Sequence, residues 1–447
     1  MVNQMQNLTQ KFSEFLCSTS FESIPHEAVI AAKHIIADCI GAIVGGMAEK
    51  EMQQLLRNSA IGKQGEAGLL GLKYKTDSQT AAFLNGTAGT FLEMDEGHQF
   101  AKGHPAMHIF PALFSAAQGR NISGRQFLHA FILGYDIAAR IGFASQLNPA
   151  MHPHGTWGGL GAASALACVN QLDPEQTAEY LNIVSSLTLA TSRKTMLEGG
   201  MVRNAYAGIS NQMAHLGLTL LRSDFSGEQD GIRSVFGSVI STGFDENKAF
   251  DHIGQRFEVC RNYFKLHACC RYNHAALDAL WSLIEAEPEL RRIETITSVE
   301  VYSYNLAAEL SDREPKNVLA CKFSVPFAIA TTLYHSSSGV LSFTEQARTT
   351  PEIQKLSQRV SVFEDANMTA MLPDRRPARI HITLTDGRQL DAEVTTNKGD
   401  WQDPYSSAEL KKKYISLTSR LWAQQYAENV YEKLMVLERI NVDDILS

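Results

Sequence analysis

The chain repeats apolar side chains at three- and four-residue spacing up to about residue 260, and beyond about residue 290 it alternates them. This switch of period constrains the fold most. A 3.6-residue repeat builds one apolar stripe on a helix, whereas a two-residue repeat builds one apolar face on a strand. After Pro25, the residues Ala28, Ala32, Ile35, Ile36, Cys39, Ile40 and Ile43 follow the helical spacing, and Gly45-Gly46 is expected to close the run. Ser123-Gly-Arg-Gln126 has the form of a capping box, and Asp173-Pro174-Glu-Gln176 adds a proline at the first helical position, so a helix should start at each. Segments 161–167 and 207–221 are rich in small residues, which lets helices approach closely. By contrast ETITSVEVYSY (294–304) reads as a half-buried strand, and 378–396 as two strands joined by Asp386-Gly387, a strong hairpin signal. Helical spacing returns after residue 400. The expected fold is mainly α: a large all-helical domain (1–260 and 397–447) interrupted by a smaller α+β lid domain (261–396). Clefts between two such units are common binding sites.

Composition narrows the function classes. The 40 basic and 48 acidic side chains leave a formal charge of −8 without long single-sign runs, so no footprint for nucleic acid is present. The N-terminus, MVNQMQNLTQKF, lacks a basic-then-apolar signal pattern, and no run of eighteen uninterrupted apolar residues exists. The expectation is a soluble, cytoplasmic protein with no membrane partner. Seven scattered cysteines argue against a disulfide framework. Cys269 and Cys270 are adjacent, unlike zinc ligands, and read as buried apolar side chains.

Four clusters could carry chemistry. The first, DEGHQFAKGHPAMH (95–108), holds Asp95, Glu96, His98, Lys102, His104 and His108. It follows a helix expected to end near the glycine, with Asp95 and His98 at that end and His104-Pro105 opening the next element. A metal site, a polar loop and a metal-free acid/base or substrate-binding site are all open. His104 and His108 are spaced to share a helix face, Pro105 and Pro111 leave continuous helix open, and no HExxH or CxxC completes a ligand set. In the second, MHPHGTWGGLGAA (151–163), His152 and His154 precede a glycine-rich turn. That turn lacks the strand and spacing of a dinucleotide loop, and it reads either as tight helix packing or as a helix N-terminus offered to a carboxylate. The third, SRKTMLEGGMVRNAYAG (192–208), places Lys194 and Arg203 around a glycine turn. The fourth, NYFKLHACCRYNHAALDAL (262–280), concentrates Lys265, His267, Arg271, Tyr272 and His274 at the expected domain boundary. A lysine in partly apolar surroundings loses its proton more readily and can act as a base, while arginine clamps a carboxylate.

In this order the clusters resemble the MmgE/PrpD family, which includes 2-methylcitrate dehydratases, cis-aconitate decarboxylases and an iminodisuccinate epimerase. The resemblance covers nearly the whole chain and rests on FLNGTAGTFLEMDEGH, His104-Pro105 with IFPALFSAAQ, ILGYDIAARIG, the histidine–glycine segment 152–161, NYFKLHACCRYNHAALDA, FSVPFAIA (323–330) and DPYSSAELKKKY. It implies a homodimer working on a small polycarboxylate, with no cofactor and no metal. Carried over by position, it implies catalytic roles for Asp95, His104, His154 (or His152), Lys194 and Lys265. The candidate substrate contacts are His98, His152, Arg203, Arg271 and Tyr272. The chain departs from the family pattern at Leu197, where a histidine shortly follows the first lysine, and at Phe327, often a tyrosine. Abstraction of a proton alpha to a carboxylate is common to the family's reactions. Epimerase and hydro-lyase outcomes stand about level, and the loss of proton donors at 197 and 327 makes epimerisation more attractive. A decarboxylase, or a non-catalytic helical dimer that kept the fold, is the alternative.

Overall fold

The helical spacing after Pro25 folds as helix α1, His26–Met47, in the computed structural model, which describes residues 7–60 and 62–447. The first six residues of the N-terminal segment lie outside the described residues. Helix α1 does not close at Gly45-Gly46 but runs through both, because Gly46 is where it meets α2, Ser78–Gly89. A Cβ there would stand 1.9 Å from the Ala88 carbonyl oxygen. Helices α3 (Pro105–Ala117), α4 (Gly124–Ala144), α5 (Gly158–Val169) and α6 (Ala205–Leu221) pack with these two into one apolar core. The capping boxes form at Ser123 with Gln126 and at Asp173 with Gln176.

Helix α3 is continuous despite Pro111. A proline frees the carbonyl one turn earlier and supplies no N–H of its own. Asn211 of α6 fills the gap: its Nδ2 donates to the Met107 carbonyl at 3.0 Å, and its Oδ1 accepts from the Ala112 N–H at 2.8 Å. Helices α1 and α4 are each long and apolar enough to cross a membrane, but 83% and 89% of those stretches are buried within the protein, as expected of core helices.

The second unit holds α7 (His274–Ala286), β1 (Ile296–Ser303), α8 (Val325–His335), β2 (Val360–Glu364), β3 (Ala378–Leu384) and β4 (Gln389–Val394). The sheet order is β4-β3-β1-β2. β1 and β2 are parallel with α8 in the crossover, and the other pairs are antiparallel. Val299 and Val301 of β1 lie opposite Ile382 and Ile380 of β3 on the buried face. Helices α9 (Ser407–Thr418) and α10 (Gln424–Met435) return to the first core through Tyr414, Val430 and Leu434. The protein is thus mainly α with a small sheet-containing unit. The second apolar cluster takes in Leu92, Met94 and Met196 from the helical part, so the segment that follows Leu92 lies along the seam between the two.

Candidate functional site

Helix α2 stops at Gly89, and Asp95 lies beyond it in a loop rather than at the helix end. Two local features aim this loop. Glu93 takes a left-handed backbone with φ 56°, which costs a non-glycine residue about 1–2 kcal/mol. Gly97–His98 then pairs antiparallel with Asn262–Tyr263, bringing the segment that carries Lys265 alongside. From α9, Lys413 donates to the Met94 carbonyl at 2.6 Å and pairs with Asp38 of α1, fixing the backbone next to Asp95.

Asp95 is the centre of a buried charge network. Its Oδ1 is 3.2 Å from Lys265 Nζ and its Oδ2 is 3.1 Å from His104 Nδ1. Lys265 Nζ also reaches Glu93 Oε2 at 3.5 Å, and Glu93 Oε1 pairs with Arg203 Nη1. Burial works against charge on Asp95, but His104, Lys265 and Arg203 outweigh it and hold its carboxyl at about 2. Burial likewise works against the Lys265 ammonium. Asp95 and Glu93 win, so the pKa of Lys265 is raised. This corrects the expectation of a lysine that gives up its proton: between two carboxylates, Lys265 is a fixed cation and not a base.

His104 caps α3 in position, and its ring is locked. Nδ1 contacts the Glu96 carbonyl oxygen as well as Asp95 Oδ2. The carboxylate lies off the line of a good hydrogen bond, so the carbonyl fixes the tautomer. Both neighbours are acceptors, which puts the proton on Nδ1 and the lone pair on Nε2. Burial pushes the pKa down to about 4, only partly offset by Asp95. Next to it stands His154, ring centroids 4.7 Å apart, followed by His152 at 4.7 Å from His154. Burial holds both well below the ordinary histidine range, and among the described residues His154 Nδ1 has no hydrogen-bond partner. His108 is structural: Nδ1 donates to the His104 carbonyl at 2.8 Å and Nε2 accepts from the Gly155 N–H at 3.3 Å. The glycine-rich turn at 158 makes room for that ring, since a Cβ on Gly158 would stand 2.4 Å from His108 Cγ.

These groups form one wall of a cleft whose empty space, including the part open to solvent, is about 540 Å³. Glu93, His104, His152, His154 and Arg203 line it from the helical part, together with Lys102, Arg193 and Met196. Tyr263, Cys270, Arg271, Tyr272, Phe323 and Arg376 line it from the other side of the chain's seam. Arg271 pairs with Asp400 and lies over the Tyr263 ring at 4.5 Å. Among the described residues no trio of His, Cys, Asp or Glu is disposed to hold a metal ion.

Four candidates do not line the cleft: Asp95 and Lys265 are fully buried behind the lining residues Glu93 and His104, and Lys194 and His98 lie apart from it. The Lys194 side chain is 75% exposed, pairs with Glu198 at 3.3 Å, and does not line the cleft; its neighbour Arg193 does, held by Glu309 at 2.7 Å. The short helix Arg193–Leu197 turns residue 193 inward and residue 194 outward. His98 is fully buried away from the cleft, its Nε2 donating to Glu258 Oε2 at 3.0 Å and its Nδ1 accepting from the Ala101 N–H at 3.2 Å. It braces the loop and has no free nitrogen for a substrate. Glu93, Arg193, Tyr263, Phe323 and Arg376 were not singled out from the sequence. Glu93 had a signal, an acidic residue two before Asp95 on an otherwise apolar stretch.

Residues 10–244 match the MmgE/PrpD N-terminal domain and residues 267–437 the MmgE/PrpD C-terminal domain. The chain belongs to the MmgE/PrpD family. It is 22% identical to a cis-aconitate decarboxylase of Aspergillus terreus over 98% of this chain and 94% of that protein. Identity to the Mus musculus cis-aconitate decarboxylase is also 22%, over 98% and 93% of the two chains. A probable 2-methylcitrate dehydratase of Saccharomyces cerevisiae is 22% identical over 81% of this chain and 76% of its own. These family members are named as enzymes.

Proposed function

We propose that this MmgE/PrpD protein is a lyase acting on a small di- or tricarboxylate, with His104 moving a proton at the carbon alpha to a carboxylate. One observation carries the reading. His104 presents an unprotonated Nε2, its Nδ1–H tied to the Glu96 carbonyl beside Asp95, in a cleft otherwise rich in arginine. The Glu96 carbonyl orients the ring, and the adjacent Asp95 carboxylate stabilises the imidazolium that forms when Nε2 takes the proton. Arg203 and Arg271 supply the positive field for the substrate's carboxylates and for the charge that builds on one of them. Lys265 holds Asp95 and Glu93 in place.

Proton abstraction leads either to loss of hydroxide or to proton return; loss of carbon dioxide instead leaves an electron pair on carbon that must take a proton, so in that reaction the side chain at the carbon acts as the donor. A lyase outcome is favoured over epimerisation because His104 and His154 stand side by side, whereas inversion needs proton exchange on opposite faces of one carbon. Tyr263 and Cys270 are poorly matched to the role of a second base, since burial lifts them to about 12 and about 11. Decarboxylation is a second reading alongside dehydration, supported by the full-length similarity to proteins named cis-aconitate decarboxylases.

The test is to incubate purified protein with 2-methylcitrate, cis-aconitate and iminodisuccinate in deuterated water. Rising ultraviolet absorbance marks dehydration and evolved carbon dioxide marks decarboxylation. Deuterium uptake with inversion and no new product would replace the lyase reading with an epimerase. Inertness toward all three, with no thermal shift, would favour a non-catalytic dimer. Stoichiometric zinc or iron in active protein would contradict acid/base chemistry by these side chains alone.

A further inference from the structure

Four arginines line the cleft, and their counter-charges differ. Arg203 has Glu93, Arg271 has Asp400 and Arg193 has Glu309. Arg376 is 4% exposed, yet among the described residues it has no carboxylate within ion-pair distance. Among the described residues its guanidinium makes one hydrogen bond, from Nη2 to the Gln99 carbonyl at 2.8 Å, and the Tyr272 ring lies 5.5 Å from its guanidinium carbon. Asp400, the carboxylate that favours its charge from a distance, is already paired with Arg271, and Lys102 at the mouth of the cleft adds another cation. A guanidinium withdrawn from water without an anion is costly, and proteins retain such a charge where a ligand completes it.

The backbone around Arg376 is held firmly on both sides. Its carbonyl accepts from Asn397 Nδ2 at 3.0 Å, and the preceding turn accepts from Gln99 Nε2 through the Pro373 carbonyl. Gln99 belongs to the loop that carries Asp95 and His104, so Arg376 is fixed from the sheet-containing unit against the proton-handling wall. Its planar fork suits a carboxylate, bound through two parallel N–H donors.

We infer that Arg376 is the docking residue for a non-reacting carboxylate of the substrate, making the cleft selective for anions with at least two carboxylates. This rests on the polycarboxylate reading above and adds the residue that sets selectivity. Arg376 binds and positions; it transfers no proton.

Calorimetric titration with tricarballylate, a tricarboxylate that offers no hydroxyl to lose, tests it. Wild-type protein should bind, and Arg376→Met should bind roughly 10- to 100-fold more weakly, the loss expected for one charged bidentate contact. Propionate, with one carboxylate, should distinguish the two proteins little. With a turned-over substrate, Arg376→Lys should raise KM while kcat stays within a few-fold, a split that a general packing defect would not give. The lysine variant also serves if the methionine variant fails to fold. Unliganded Arg376→Met should melt no lower than wild type, because an unpaired buried charge has been removed. Equal tricarballylate affinity in wild type and Arg376→Met, or an unchanged KM in Arg376→Lys, would overturn the assignment. Absence of binding to wild type would instead strike down the polycarboxylate reading, and this inference with it.

Discussion

The clusters at 95–108 and 192–208 both stood out in the sequence for their charged and titratable side chains, and the protein uses them differently. In the first and just before it, Glu93, Asp95, Glu96 and His98 are buried with polar partners from distant parts of the chain, and His104 is buried against Asp95 and the Glu96 carbonyl of the same segment. In the second, Lys194, Met201 and Val202 face solvent, and only Arg193, Met196 and Arg203 turn inward to the cleft. Charge density along a sequence therefore does not locate a site. What separates the two is whether the charges are ones that cannot remain buried alone.

The sharpest way to break this contrast is His104→Ala. Loss of a positioned base should lower kcat/KM by about 10²- to 10⁴-fold, measured on whichever polycarboxylate the protein turns over. Undiminished turnover would remove His104 from the chemistry. Next in size is Lys265→Met, which leaves Asp95 and Glu93 buried without their shared cation. Urea unfolding should show a loss of about 3–5 kcal/mol, and wild-type stability would contradict the network.

A smaller, graded effect should appear with pH. His104 and His108 are held at about 4, and burial also lowers His152 and His154, against an ordinary 6.5 in the unfolded chain. Between those values the unfolded state binds more protons, so stability should fall as pH drops from 6.5 toward 4. The carboxyl of Asp95, held at about 2, adds a further loss in the same direction at lower pH. Thermal midpoints measured in steps across that window check the sign, and a flat or rising curve would contradict it. Smallest of all is Lys194→Ala. At 75% exposure with one surface partner, it should alter activity by less than about twofold and stability by less than about 0.5 kcal/mol. A large loss of activity would restore Lys194 to the site.

Much of the architecture was legible because it depends on short-range rules. Spacing, caps and the Asp386-Gly387 turn fixed helices and hairpin within local sequence. What was not legible depends on neighbours far along the chain. Gly46 looked like a helix stop because Ala88, its packing partner, is forty residues away in sequence. Pro111 left a continuous helix open because Asn211, which repairs it, lies far along the chain. The same reason explains the site. Asp95, His104, His154 and Lys265 lay in the marked clusters and were singled out through the family resemblance, but the direction of the Lys265 shift depends on its two carboxylate neighbours. Arg376 sits in DRRPARI, which reads as a solvated charged turn until Gln99 and Tyr272 are seen against it.

The central claim is that His104 is a neutral imidazole with its proton on Nδ1 and its lone pair on Nε2. Nitrogen-15 NMR of histidine-labelled protein, with the His104 signals assigned by their loss in His104→Gln, measures this directly. At pH 7 the account predicts a protonated Nδ1 and a bare Nε2, titrating near 4. An imidazolium at pH 7, or a proton on Nε2, would contradict it.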